Sequence, residues 1–111
     1  MFNLFRKSVE QNVSIDEAYE LINTNNDIII LDVRTPDEYK GGHIRKAINI
    51  PHSFITARIN ELEKYRDKNI LVHCQLGGRS SVAVKILESH GFKKIYHMKS
   101  GFGAWKYEIE K

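Results

Sequence analysis

The fold is decided by one stretch, in which a buried strand, a glycine-containing loop and a helix start follow one another: Asn69-Ile70-Leu71-Val72-His73-Cys74-Gln75-Leu76-Gly77-Gly78-Arg79-Ser80. The near-continuous apolar run at its beginning is typical of a strand that is buried on both faces of a parallel sheet. The apolar stripe within residues 80–90 predicts an amphipathic helix after the loop. This order of elements predicts an α/β domain.

The same alternation continues on both sides of this stretch. Two capping boxes, Ser14 with Glu17 and Thr35 with Glu38, predict helix starts. Further strands are predicted at residues 28–33, 47–50 and 94–98, and further helices at residues 54–65 and 101–107. We therefore expect a mostly parallel central sheet that is flanked by helices on both faces.

Length and charge limit the kinds of protein that this chain can be. It has 111 residues, of which 41% are hydrophobic and 28% charged, and this suits one globular domain. The net charge of +3 is scattered along the chain, so no basic stripe for nucleic acid is predicted. No apolar run approaches the roughly 18 residues that a membrane span needs.

The N-terminal segment is predicted to differ from the rest. Residues 1–12 are expected to form a flexible lead-in, and residues 13–111 the domain. Met1 to Lys7 mixes apolar and basic residues without the apolar core of a signal peptide, which leaves a short membrane-touching segment as the alternative.

Cys74 is the only cysteine, so no intramolecular disulfide can form, and a reducing, cytoplasmic location is expected. Its position after a buried strand is where parallel sheets bind ligands. Gly77 and Gly78 can adopt positive φ, so that backbone N–H groups turn toward one centre, and the next helix offers its N-terminus. Together with Arg79, these groups predict an anion-binding loop that lowers the pKa of Cys74 below about 8.5 and makes it a nucleophile. An inert buried cysteine is the alternative.

Other polar residues receive mostly structural interpretations. Asp32 and Arg34 end a predicted strand and could line the pocket rim, although an ion pair between Arg34 and Glu38 is the preferred interpretation. His43 is predicted to be a hydrogen-bonded structural histidine. Alternation along the strand turns His73 away from Cys74, so no catalytic role is assigned to it. The other histidines show no metal-ligand spacing, so neither a metal nor a cofactor is expected. Trp105 is predicted to pack in the core.

Four separated motifs together resemble the single-domain rhodaneses, a family of sulfurtransferases. They are Leu31-Asp32-Val33-Arg34 with Glu38-Tyr39, Gly42-His43-Ile44 with Ala47 and Asn49-Ile50-Pro51, the Cys74–Ser80 loop, and Gly101-Phe102 with Ala104-Trp105-Lys106. The resemblance runs from about Ser14 to Trp105. It implies a rhodanese-like fold, and it implies that Cys74 accepts a sulfane sulfur and that Gln75, Leu76, Gly77, Gly78 and Arg79 bind the anion.

This resemblance also implies the partners. A small anionic donor such as thiosulfate, or a protein persulfide, would load Cys74, and cyanide or a thiol would remove the sulfur. The six positions from Cys74 to Arg79 are one fewer than in the related Cdc25-type phosphatases and arsenate reductases, which favours sulfur over phosphate chemistry. A sulfur carrier or partner-binding module without fast turnover is the second hypothesis, and a phosphatase or arsenate reductase is the third.

Overall fold

The computed structural model describes residues 9–111, and the first eight residues lie outside the described part. Five strands form one sheet in the order β1-β5-β4-β2-β3, and every neighbouring pair is parallel. The strands are Glu10–Asn12 (β1), Ile29–Asp32 (β2), Ile48–Asn49 (β3), Ile70–His73 (β4) and Ile95–His97 (β5). The predicted parallel sheet is confirmed, with β4 at its centre.

Within residues 9–111, three α-helices flank the sheet, and the prediction that helices cover both of its faces is confirmed. The helices are Ile15–Thr24 (α1), Pro36–Lys40 (α2) and Gly78–Ser89 (α3). Ala83 and Leu87 of α3 pack on Val72 at one face, which we call the α3 face. Ala18 of α1 packs with Leu71 at the other, the α1 face. Successive strand residues point to opposite faces, so the apolar run of β4 supplies both cores.

Both predicted capping boxes are present. The Ser14 hydroxyl accepts from the Glu17 N–H at 3.0 Å, and the Glu17 carboxylate accepts from the Ser14 N–H at 2.8 Å. Thr35 and Glu38 make the reciprocal pair at the start of α2, with distances of 3.2 and 2.9 Å. These bonds satisfy backbone N–H groups that have no partner within a helix, so local sequence is enough to set both helix starts.

The predicted helix at residues 54–65 is wrong. Three short 3₁₀ turns, His52–Phe54, Ile59–Glu61 and Glu63–Tyr65, take its place. Their backbone bonds run from residue i+3 to residue i, as from the Leu62 N–H to the Ile59 carbonyl at 2.9 Å. Ile55 and Leu62 still reach the core of the α3 face. Burial of these side chains explains the apolar spacing, and the spacing alone does not distinguish an α-helix from tighter turns.

The predicted closing helix at residues 101–107 is wrong as well. Only Phe102–Ala104 forms a 3₁₀ turn, and Trp105 is already extended. The Phe102 and Gly103 N–H groups donate to the carbonyls of Cys74 and Gln75, at 2.8 and 3.1 Å, so they are engaged by the neighbouring loop. Trp105 packs against the core of the α1 face, as predicted.

The N-terminal boundary also differs from the prediction. The predicted lead-in includes residues 10–12, but these residues form β1, which pairs with β5 through Glu10 to Ile95 and Asn12 to His97. Pairing with β5 satisfies one edge of this short strand. The folded unit therefore begins before residue 13, and the predicted flexible lead-in otherwise lies outside the described residues.

Candidate active site

Cys74 directly follows the central strand β4, at the carboxyl edge of the sheet where the sequence predicts a site. The side chain points into the α3 face and only 1% of the residue is exposed. Residues 75–77 then turn the chain into α3. The thiol thus lies at the start of α3, whose free N–H groups and dipole favour an anion.

The two glycines of the loop have different roles. Gly77 has φ +106°, and a Cβ atom there would lie 2.5 Å from the Lys99 carbonyl oxygen, so only glycine fits. Gly78 is the first residue of α3, has no positive φ, and would give a Cβ atom open space. The prediction that both glycines use left-handed conformations is therefore wrong for Gly78.

Hydrogen bonds surround the sulfur. The Gly77 N–H donates to Cys74 Sγ at 3.0 Å, and Ser80 Oγ lies 3.4 Å from the same atom. Burial by itself raises the pKa of the Cys74 thiol, but hydrogen bonds from the Ser80 hydroxyl and from the backbone N–H groups of Ser80, Gly77 and Leu76 outweigh it. The net pKa is lowered, in the predicted direction, and hydrogen bonds rather than a neighbouring charge are the cause.

Arg79 has a carboxylate partner that the sequence analysis did not assign to it, although its charge also interacts with Cys74. Its guanidinium forms two bonds with the Glu38 carboxylate, at 2.7 and 3.0 Å. The hydrogen bonds from Arg79 lower the pKa of Glu38 to about 2. Since a carboxylate already balances the guanidinium charge, the support that Arg79 gives to an anion in the loop is reduced.

The predicted ion pair between Arg34 and Glu38 is also wrong. Arg34 instead pairs with Asp32, and the distance from Nη2 to Oδ2 is 2.8 Å. Both residues are buried, 2% and 0% exposed, so they do not form an open pocket rim. Arg34 also donates to the Gly42 carbonyl at 2.7 Å and to the Gln75 side-chain oxygen at 3.2 Å. The Asp32–Arg34 pair therefore helps to fix the position of the loop through the Gln75 side chain.

The remaining loop side chains divide between support and exposure. Gln75 contacts Arg34 through its side chain, and its backbone carbonyl accepts from the Gly103 N–H. Leu76 is 82% exposed, which is unusual for a leucine beside a buried thiol. Of the predicted anion-binding residues, the backbone of Leu76 and Gly77 contacts the sulfur, whereas the side chains of Gln75 and Arg79 have other partners.

Two site residues were missed by sequence reasoning, and a third, Ser80, was quoted only as part of the loop. His97, at the end of β5, approaches Ser80 Oγ with Nε2 at 2.6 Å. Its Nδ1 lies 2.8 Å from Glu10 Oε2 on β1. The available signal was a histidine in a strand whose neighbours are buried, since a buried polar side chain needs a partner.

His43 and His73 make the contacts that the sequence predicts. His43 Nδ1 lies 2.8 Å from the Tyr39 carbonyl, and the two rings stack. His73 is buried on the α1 face with Nδ1 3.0 Å from the Cys74 carbonyl, and burial lowers its pKa. Its Nε2 has no hydrogen-bond partner among the described residues. Neither ring contacts the sulfur.

Two kinds of feature are absent from residues 9–111. No helix in this range is long and apolar enough to span a bilayer. The same residues contain no group of three or more histidine, cysteine, aspartate or glutamate side chains that could hold a metal ion. The described geometry provides a cysteine thiol with a lowered pKa in a loop of backbone donors, which favours the thiolate form.

Comparison with known proteins agrees with this geometry. The family described as the Rhodanese-like domain matches residues 14–108. The chain belongs to the rhodanese-like family. A rhodanese-related protein from Thermoplasma volcanium superposes with a TM-score of 0.79 at 33% identity, covering 90% of this chain and 97% of that one. The predicted fold and family are thus confirmed.

Relatives within the rhodanese-like family carry different names. Thiosulfate sulfurtransferase GlpE of Coxiella burnetii is 36% identical, covering 81% of each chain. The uncharacterised protein YqhL of Bacillus subtilis is 41% identical, covering 73% of this chain and 63% of YqhL. The putative sulfur carrier protein YrkF of the same organism is 30% identical over 88% of this chain. The match spans only 52% of the length of YrkF.

Proposed function

We propose that this protein is a sulfurtransferase that moves a sulfane sulfur from a small anionic donor to a thiophilic acceptor through a persulfide on Cys74. The observation that carries the proposal is the environment of the Cys74 sulfur. The sulfur follows β4 and accepts a hydrogen bond from the Gly77 N–H at 3.0 Å, and the pKa of the thiol is lowered. A thiolate is the reactive form of cysteine, and this environment favours it.

The proposed reaction balances in two steps. The Cys74 thiolate attacks the outer sulfur of thiosulfate, an S–S bond to Cys74 forms, and the bond to the sulfonate sulfur breaks with release of sulfite. Cyanide or a thiolate then attacks the terminal sulfur of the persulfide, and Cys74 leaves as thiolate. The persulfide is also an anion, so the backbone donors that stabilise the thiolate can stabilise it.

Burial supports the choice of donor. Because only 1% of Cys74 is exposed, a small anion reaches the sulfur more readily than a bulky donor does. The six-position loop to Arg79 supports sulfur chemistry over the phosphate chemistry of related enzymes with a longer loop. A reducing compartment such as the cytoplasm would keep Cys74 free for this reaction, and we include that location in the proposal.

Intact-mass measurement tests the proposal directly. The full chain is reduced, incubated with thiosulfate, desalted and weighed, and we expect the mass of one added sulfur atom. Cyanide should then remove that sulfur as thiocyanate. Cys74→Ser is the matched control and should gain nothing, because its hydroxyl is a far weaker nucleophile. Absence of any gain in the wild type with thiosulfate, polysulfide or glutathione persulfide would contradict the proposal.

A second candidate is a sulfur carrier that holds the persulfide for a partner protein without fast turnover of small donors. The similarity to the putative sulfur carrier YrkF supports it. The same experiment separates the two functions: a carrier forms the Cys74 persulfide but releases negligible thiocyanate. Hydrolysis of a phosphate ester that depends on Cys74 would instead indicate phosphatase chemistry.

A further inference from the structure

A continuous chain of hydrogen-bonding groups leads away from the sulfur on the α3 face. Ser80 Oγ lies 3.4 Å from Cys74 Sγ, His97 Nε2 lies 2.6 Å from Ser80 Oγ, and Glu10 Oε2 lies 2.8 Å from His97 Nδ1. Cys74 follows β4 and Ser80 lies in α3. His97 is the last residue of β5, and Glu10 is the first residue of β1. Their order, carboxylate, imidazole, hydroxyl and thiol, allows a proton to pass along the chain.

Because the thiol is buried, these hydrogen-bonded groups, rather than solvent, are the nearest acceptor for its proton. Ser80 and His97 are both 0% exposed, and Cys74 is 1% exposed. Only the Glu10 end approaches solvent, with 21% of its side chain exposed. In such surroundings hydrogen bonds are stronger than in water, and an unmatched charge is costly. A proton that leaves Cys74 is therefore best accepted by a partner that can carry the balancing charge.

The Glu10 carboxylate determines which nitrogen of the His97 imidazole carries a proton. A carboxylate only accepts, so His97 Nδ1 carries a proton and donates it to Glu10. In the neutral ring Nε2 is then an acceptor, and the Ser80 hydroxyl donates to it. The Ser80 hydroxyl has one proton and a second acceptor, the Gly77 carbonyl at 3.1 Å, but His97 is the closer of the two.

Two proton arrangements follow. With Cys74 as a thiol, S–H donates to Ser80 and the Ser80 hydroxyl donates to neutral His97. When the thiol proton moves to Ser80 Oγ and the Ser80 proton moves to His97 Nε2, the bonds reverse. His97 then donates to Ser80, Ser80 donates to the thiolate, and Glu10 faces an imidazolium. No proton is gained or lost, so the two states differ only in where the charges lie.

We propose that Ser80, His97 and Glu10 form a proton relay that accepts the Cys74 proton and thereby sets the fraction of reactive thiolate. Ser80 is a catalytic residue here because it touches the reacting sulfur, whereas His97 and Glu10 are positioning residues that act through it. The relay deepens the proposed function and rests on it for the use of the thiolate in sulfur transfer.

Other titratable groups near the relay come from two elements, α3 and β4. Glu88 of α3 accepts from the Val9 and Glu10 N–H groups at 2.9 and 3.2 Å, which adds negative charge at the β1 edge. His73, the residue before Cys74, interacts electrostatically with His97 across the sheet, and burial lowers its pKa. A neutral His73 adds no competing positive charge beside the relay.

The pH dependence of Cys74 alkylation tests the relay without using a sulfur donor. The full chain is treated with iodoacetamide across a pH series, and the rate gives the apparent midpoint for formation of the Cys74 thiolate. His97→Gln keeps a side-chain group that can donate to Ser80 but cannot accept a proton. Ser80→Ala removes the link. Ser81→Ala is the matched control, since its hydroxyl bonds the Gly77 carbonyl at 2.9 Å and not the sulfur.

We expect His97→Gln and Ser80→Ala each to raise the midpoint by about one pH unit, or roughly tenfold less thiolate at neutral pH. The double variant should match Ser80→Ala, because His97 acts through Ser80. Ser81→Ala should match the wild type. A wild-type midpoint in folded His97→Gln, or additive shifts in the double variant, would overturn the relay.

Glu10→Gln covers the case in which His97→Gln does not fold. This change at the sheet edge keeps a hydrogen-bond acceptor for Nδ1 and removes the charge that stabilises the imidazolium. Its midpoint should rise by about half a unit, and an unchanged midpoint would also overturn the relay. Sulfur loading from thiosulfate is measured separately. A protein with a working relay that takes up no sulfur would refute the proposed function alone.

Discussion

Two buried polar networks reach the Cys74 loop from opposite faces of the sheet, and they contact different atoms of it. On the α3 face, Ser80 and His97 approach the sulfur. On the α1 face, the Arg34 network, which consists of Asp32, Arg34, the Gly42 carbonyl and Gln75, approaches the loop from below. The Arg34 network contacts the Gln75 side chain and does not contact Sγ. The difference separates groups that set the chemistry of the thiol from groups that hold the shape of the loop.

The largest expected effect comes from breaking the Arg34 network. Arg34→Met keeps most of the side-chain volume but leaves the Asp32 carboxylate buried without its partner. Removing one member of a buried ion pair costs about 3–5 kcal/mol, so we expect the free energy of unfolding in urea to fall by that amount. The variant that stays folded should keep the wild-type midpoint of Cys74 alkylation.

A double variant checks the cause. Asp32→Asn together with Arg34→Met removes both charges, so it should recover part of the lost stability. If Arg34→Met shifts the alkylation midpoint as much as Ser80→Ala does, the two networks are not separate in function, and the comparison fails.

Gly77 contacts the sulfur directly, and its substitution should have the next largest effect. Its N–H donates to Cys74 Sγ, and its carbonyl accepts from the hydroxyl and the N–H of Ser81. Gly77→Ala would place a Cβ atom 2.5 Å from the Lys99 carbonyl oxygen at a positive φ. We expect a loss of about 2–3 kcal/mol in urea unfolding, with slower sulfur loading because the donor N–H moves.

Gly78→Ala is the control for Gly77→Ala. The added Cβ atom meets no atom within 4 Å, and alanine is favoured over glycine in a helix. Its stability and sulfur loading should stay within about 0.5 kcal/mol and twofold of the wild type. Equal damage from both substitutions would show that the loop tolerates no added volume, whatever its backbone conformation.

Sequence patterns correctly predicted the features that depend on residues close in sequence or on burial alone. The capping boxes at Ser14 and Thr35 and the buried run of β4 were correct, because their partners lie within a few residues or follow from burial alone. Cys74 was placed at the carboxyl edge of the sheet for the same reason. The 3₁₀ turns after β3 were not predicted, since their hydrogen bonds follow the packing of Ile55 and Leu62.

Pairing between distant residues could not be predicted in this way. Glu10 and His97 are 87 positions apart and meet because β1 pairs with β5 in register. Arg34 has three carboxylates within four residues, Asp32, Asp37 and Glu38. It pairs with Asp32, while Arg79 reaches Glu38 from 41 positions away. Such choices are made by the order of strands in the sheet, which residue spacing does not encode.

The smallest expected effect concerns Arg79, whose charge the sequence placed at the sulfur. Arg79→Ala should raise the alkylation midpoint of Cys74 by less than about half a pH unit, because the Glu38 carboxylate already balances the guanidinium and the pair is partly exposed to solvent. The pKa of Glu38 falls from 4.5 to about 2 beside Arg79, so the stability from this pair is present above pH 4.5 and is lost as the pH falls through about 2.

Glu38→Gln is the complementary change. It frees the Arg79 charge while keeping a polar side chain, and it should lower the Cys74 midpoint slightly, in the opposite direction to Arg79→Ala. Both midpoints are read from the same iodoacetamide series at neutral and alkaline pH, where the wild-type pair is fully charged. A shift of a full unit in Arg79→Ala would mean that charge dominates at the sulfur, and hydrogen bonding from Ser80 would then be the lesser influence.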